Sequence, residues 1–188
     1  MRYKSGLFIL TGLLIAFCAV AQEVNFMPKA LRKALKKDGV DDFTLVREMP
    51  YSEIKSEISQ INGKYFMITG DAGSEYKYIY VGRVNSCRAG GCSISNDIPL
   101  EGSSEYFDYY ILFDSEKVVR EVKVFNYQAT HGYEITSRGW LKQFRGHKDQ
   151  QLQVGKDIDA ISGATISVYA ITRDIGLKTR LLSVHSWH

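Results

Sequence analysis

Residues 106–127 constrain the fold more than any other stretch. Tyr106–Phe113 and Val118–Tyr127 are dense in aromatic and β-branched side chains, and the polar Asp114-Ser115-Glu116-Lys117 lies between them. This pattern predicts an antiparallel hairpin with a short turn. In the second strand Val118, Arg120, Val122 and Val124 share one face, and Val119, Glu121, Lys123 and Phe125 share the other. Faces mixed in this way predict a sheet packed strongly on one side only.

The other elements fit around that hairpin. Pro28 opens a helix running to about Lys37, with Met27, Leu31, Ala34 and Leu35 on one side, and Asp38-Gly39 ends it. Lys29, Arg32, Lys33, Lys36 and Lys37 occupy the rest of that helix. Two readings of this basic stripe stay open: a solvated face, or a docking surface for an acidic partner or anionic lipid. Phe43 to Arg47 reads as a short strand, and Ile54, Ile58 and Ile61 recur at helical spacing before Asn62-Gly63. Strand-like runs follow at Tyr65–Thr69 and Tyr76–Val84, and Ser86 to Ser104 reads as a long loop. Trp140, Leu141 and Phe144 mark a short amphipathic helix ending near Gly146. A final helix spans Ala164 to about Lys178, burying Ala164, Val168, Ile171 and Ile175. The order of elements predicts an α+β fold, a mainly antiparallel sheet covered by helices.

The first residues read as an address label. Arg2 and Lys4 precede an uncharged run from Gly6 to Phe17, and Ala19-Val20-Ala21 offers a small-x-small cleavage pattern. The run is shorter than the roughly 20 residues of a membrane-spanning helix. Residues 1–21 are therefore expected to be a signal peptide, with an uncleaved anchor as the alternative. The chain would then be exported, to the periplasm or the outer face of the cytoplasmic membrane. Without those two basic residues the net charge drops from +3 to +1, which argues against a nucleic-acid partner.

Cys87 and Cys92 remain after such processing, flanking Arg88-Ala89-Gly90-Gly91. In an oxidising compartment they read as a disulfide, or else as a redox-active pair. Ser93 follows where a c-type haem would need histidine. No set of metal ligands stands out, and none is assigned.

Chemistry concentrates in Asp159-Ala160-Ile161-Ser162-Gly163-Ala164-Thr165-Ile166-Ser167. Ser162 reads as an N-cap, and Gly163 lets another group approach the backbone closely. A helix start has free N–H groups and the positive end of the dipole, so it favours a phosphate beside the Thr165 hydroxyl. From the residues alone, an ordinary capped helix without ligand remains open.

Asp159-x-x-Ser162-Gly163-Ala164-Thr165 resembles the flavinylation motif of the FMN-binding domain family. That family includes periplasmic domains of the C subunit of sodium-pumping NADH:quinone reductase and of the G subunit of the Rnf complex. The resemblance extends to Thr130-His131-Gly132-Tyr133-Glu134 and to Trp140-Leu141-Lys142-Gln143-Phe144-Arg145-Gly146. It implies FMN attached covalently by a phosphoester to Thr165, delivered from FAD by a magnesium-dependent flavin transferase. It also implies cofactor contacts from Asp159, Ser162, Gly163, Ala164, Thr130, His131, Gly132 and Tyr133. Where the family often has Glu-Thr-Pro-Gly, this chain has Ala129-Thr130-His131-Gly132, which leaves the contacts to the flavin ring open. Routine turn and core packing is the other reading of His131 and Tyr133, and core packing that of Trp140.

On this reading residues 22–64 are an N-terminal helical and extended addition, and 65–188 the FMN-binding domain. The function expected is an electron carrier serving membrane or periplasmic redox partners, rather than a stand-alone enzyme. A flavin-dependent small-molecule reductase and a flavin-free binding module of the same fold are the alternatives. Nothing resembles a Ser-His-Asp or Cys-His catalytic set, so no catalytic residue is assigned.

Overall fold

In the computed structural model the described residues are 23–50, 62–70, 73–86 and 105–184. The expected leader, the helix at Ile54 to Ile61 and the Cys87–Cys92 pair lie outside them.

The hairpin forms where the aromatic runs place it. β4 (Tyr106–Phe113) pairs antiparallel with β5 (Val119–Tyr127) around the Asp114 turn. Asp114 organises that turn, its Oδ1 accepting from the amides of Glu116 and Val118 at 2.9 Å each. The full sheet is antiparallel and runs in chain order: β1 (Val46–Glu48), β2 (Gly63–Ile68), β3 (Tyr78–Asn85), β4 and β5. With three α-helices beside it among the described residues, the fold is α+β, as the element order predicts.

Two details differ from the period-two reading of β5. Register shifts between Asp108 and Tyr109, and between Leu112 and Phe113, let two residues of β5 bulge past the ladder. Val119 therefore shares one core with Val122 and Val124, instead of facing away from them. Phe43–Leu45, expected as strand, is a 3₁₀ turn, because the Asp42 carboxylate accepts from the Thr44 amide and closes it. The strand begins only at Val46.

The sheet is also packed on both faces, not one. All eight residues of β4 are buried. On one face Phe107, Tyr109, Ile111 and Phe113 meet α3 (Thr165–Val184) and α2 (Arg138–Leu141), through Val168, Ile171, Ile175, Trp140 and Leu141. On the other, Tyr110 and Leu112 join Ile79, Val81, Phe66 and Ile68 against Leu31 and Leu35 of α1 (Lys29–Lys37). Burying each such leucine contributes about 1.5–3 kcal/mol. The mixed faces of β5 disguised the second core: Glu121, which looks like a solvated charge, accepts from the buried Tyr110 hydroxyl at 2.7 Å.

The final helix runs further than its apolar stripe suggests, reaching Val184. Leu181 and Leu182 continue the buried side beyond Lys178, which is itself fully buried. Its ammonium meets Asp174 at 2.7 Å, and the Tyr109 hydroxyl donates to the same carboxylate at 2.5 Å. Tyr65 donates to the Lys178 carbonyl at 2.7 Å. These bonds fix the register of α3 on the sheet, and hence the position of its first turn.

Candidate functional site

The approach to α3 is built as a clamped loop. Gln153 N–H donates to Asp157 Oδ2 at 2.9 Å, and Gly155 N–H to the Ile158 carbonyl at 2.8 Å, which turns the chain and buries Ile158. Asp159 is then held through its backbone on both sides. Trp140 Nε1 donates to its carbonyl at 2.8 Å, and its own N–H donates to Gln143 Oε1 at 2.8 Å. The Asp159 side chain is left exposed.

Gly163 takes φ +81°, and the Ala164 N–H returns to the Ile161 carbonyl at 3.1 Å. Ala164 is buried in the core, and α3 begins at Thr165 with that side chain exposed. Ser162 therefore lies three residues before the helix and is not its N-cap. The residue at that position is Ala164, whose methyl accepts nothing. Among the described residues no side chain caps the amides of Thr165, Ile166 and Ser167. Uncapped first-turn amides and the dipole together favour an anion. No acidic residue in the first turn opposes one.

The second group of expected residues meets this turn through Ser167. Gly132 adopts φ +88°, which favours glycine, and a Cβ there would lie 2.5 Å from Ser167 Oγ, so the Ser167 side chain fills the space that a side chain at 132 would need. Tyr127 Oη donates to the His131 carbonyl at 2.5 Å and lies 3.1 Å from Ser167 Oγ. Burial pushes the Tyr127 phenol above its usual range; the Ser167 bond opposes this, and Glu105 and Glu134 add to it. Ser86 Oγ is 3.3 Å from the same serine hydroxyl. Thr130 donates to Glu105 Oε1 from both its N–H and its hydroxyl, and the His131 side chain is exposed. Tyr133 sits edge-on to Tyr127 with ring centroids 5.5 Å apart, and is 68% exposed.

The structure thus brings Gly132 against Ser167 in the first turn of α3 and links Tyr133 to it through Tyr127, while the Thr130 hydroxyl is engaged by Glu105. Several residues that shape this corner escape a motif reading. Ser167 and Tyr127 join its two halves, and Gln143 and Trp140 hold its loop. Ile166 and Tyr169 stay 50% and 56% exposed beside Thr165. The signal for the last two is an apolar pair at i, i+3 on the side of α3 opposite its core stripe. Trp140 is a core residue, as its place on an amphipathic helix suggests, and its indole N–H adds the clamp.

Residues 102–175 match the FMN-binding domain family. No curated protein matches the chain.

Proposed function

We propose that this protein, whose residues 102–175 match the FMN-binding domain family, is an exported flavoprotein electron carrier holding its FMN through a phosphoester on the hydroxyl of Thr165. One observation carries the proposal. Thr165 offers an exposed side chain on a helix start that no side chain caps among the described residues, and three of the four exposed large apolar side chains among them, Tyr133, Ile166 and Tyr169, lie on or near that helix start.

Each part has a role in this reading. The amides of Thr165, Ile166 and Ser167 favour the phosphate. Tyr133, Ile166 and Tyr169 offer apolar surface to the flavin ring. Clamping by Trp140 and Gln143 holds the loop so that the Thr165 hydroxyl is presented in one geometry. In maturation Thr165 Oγ1 forms the new P–O bond while the pyrophosphate bond of FAD breaks; AMP leaves, and the hydroxyl proton passes to solvent. Asp159 does not hold the phosphate, because two negative charges repel. Its exposed carboxylate is left for the magnesium-dependent transferase to recognise.

FMN supplies the redox chemistry when bound, and a phosphate linkage leaves its ring electronically unaltered. A covalent bond suits an exported protein, since dilution outside the cell would otherwise strip the cofactor by mass action. Partners at the membrane or in the periplasm would donate and accept the electrons.

The test is co-expression of the full chain with an FAD-using flavin transferase, followed by denaturation and intact-mass measurement. The wild type should keep flavin fluorescence on the denatured band and gain the mass of one FMN. Thr165→Val should lose both at an unchanged melting temperature. A Thr165→Val protein that keeps the label would refute the assignment.

A further inference from the structure

We propose that the outer face of α1 docks on anionic lipid head groups and seats the domain with the start of α3 on the far side of the sheet. α1 places Lys29, Arg32, Lys33, Lys36 and Lys37 at i, i+3, i+4, i+7 and i+8, a single stripe along the helix. All five are exposed, and among the described residues none is ion-paired. Arg32 and Lys36 lie 6.0 and 5.9 Å from the Phe43 ring centroid, which supports their stems without neutralising them. Of the three carboxylates that follow the helix, Asp38 accepts from Ser74 and from the Tyr76 amide and Asp42 from Thr44, while Asp41 is exposed.

Charge distribution sharpens the case. Of 24 basic residues, two lie in the expected leader and five on α1, leaving 17 against 21 acidic ones, a net −4. An anionic surface would therefore attract α1 and repel the remainder, which gives the domain one orientation. Four of the five cations are lysines, a residue type depleted from protein–protein interfaces, and the stripe offers no exposed aromatic anchor. That composition favours a diffuse anionic surface over an acidic protein. The underside is fixed, because Leu31 and Leu35 are buried against the sheet. α3 packs on the opposite face, so lipid contact through α1 leaves Thr165 open to partners.

Where the lipid is met rests on the proposed export. Lipid binding itself does not involve the flavin, so the two proposals can fail separately.

Protein recovered from an exporting host is tested by co-sedimentation with two kinds of vesicle, phosphatidylglycerol mixed with phosphatidylcholine, and phosphatidylcholine alone. Binding should appear only with phosphatidylglycerol and weaken as salt rises. A cation near such a surface is worth about fivefold in binding, so the triple variant Arg32→Glu, Lys33→Glu, Lys36→Glu should bind at least about 100-fold more weakly. It should still fold, losing only the exposed Phe43 contacts of Arg32 and Lys36. The control Lys123→Glu, Lys148→Glu, Lys156→Glu removes equal charge elsewhere and should bind within about threefold of wild type if the stripe is the contact. Equal binding to both vesicles, equal loss in both variants, or no binding at all overturns the proposal; the last result with salt-sensitive capture by an acidic protein would assign the face to protein instead.

Discussion

α1 and α3 cover opposite faces of one sheet, and they treat their sequences differently. α1 follows the binary pattern throughout, with leucines inward and cations outward. α3 breaks it in both directions. It buries Ser167, Thr172, Lys178 and Thr179 and exposes Ile166 and Tyr169. Apolar groups left in water and polar groups taken out of it both cost stability, and α3 concentrates both, as the proposed site at its start would require. The exposed breaks sit at the start of α3 beside Thr165. Most of the buried ones sit further along, where the sheet residues Tyr109 and Tyr65 lock the helix by donating to Asp174 and to the Lys178 carbonyl.

The lock should give the largest mutational effect. Asp174→Ala leaves the Lys178 ammonium buried without its carboxylate, and should cost about 3–5 kcal/mol in a urea titration. Lys178→Met should be close to neutral, since it removes the charge as well. If Asp174→Ala costs no more than a surface change on α1, the contrast between the helices fails.

Next come two glycines with the same backbone handedness and different surroundings. Gly163 at φ +81° has open space where a Cβ would go, so Gly163→Ala should cost only about 1–2 kcal/mol for the left-handed conformation. Gly132→Ala adds a clash with Ser167 and should cost more, while separating Tyr133 from the first turn of α3. Comparing the two melting temperatures isolates the contribution of that close approach.

The smallest expected effect is a pH dependence shared by both faces. On the side of α1, burial, with Glu121 adding, pushes the Tyr76 phenol up to about 12. Under α3, burial and then Asp174 raise Tyr109 well above its usual value. A phenol whose folded pKa is raised contributes stability that is complete below its unfolded pKa of about 10. That contribution is lost as pH rises through the folded value. Urea midpoints should hold steady up to about pH 10 and fall towards pH 12. A midpoint that rises in that window would contradict these environments.

How much of this was legible follows the same division. α1, β4 and the stripe Ala164, Val168, Ile171 and Ile175 could be read because their periods are regular and their ends carry Pro28, Gly39 or turn residues. The bulges in β5 were hidden, since an extra residue shifts the face without altering composition. The second core was hidden by the charged residues of β5 and by Tyr110, whose hydroxyl finds Glu121 only in three dimensions. The end of α3 was obscured by Lys178, Thr179 and Arg180, which look like a solvated turn until Asp174 and the sheet are present. At the site, the motif pointed to Thr165, Gly163 and Asp159 but misplaced the cap at Ser162. It gave no sign of Ser167 and Tyr127 as the join to Gly132, because that contact spans residues distant in sequence.

The central claim is that the exposed start of α3 carries the cofactor, and one peptide tests it. Lys156 and Arg173 bracket a stretch with no other basic residue, so trypsin releases residues 157–173 as one fragment. After maturation with the transferase, that fragment should carry the mass of one FMN, and fragmentation should place it on Thr165 rather than on Ser162, Ser167 or Thr172. An unmodified fragment from yellow protein, or a label on any other residue, would contradict the account.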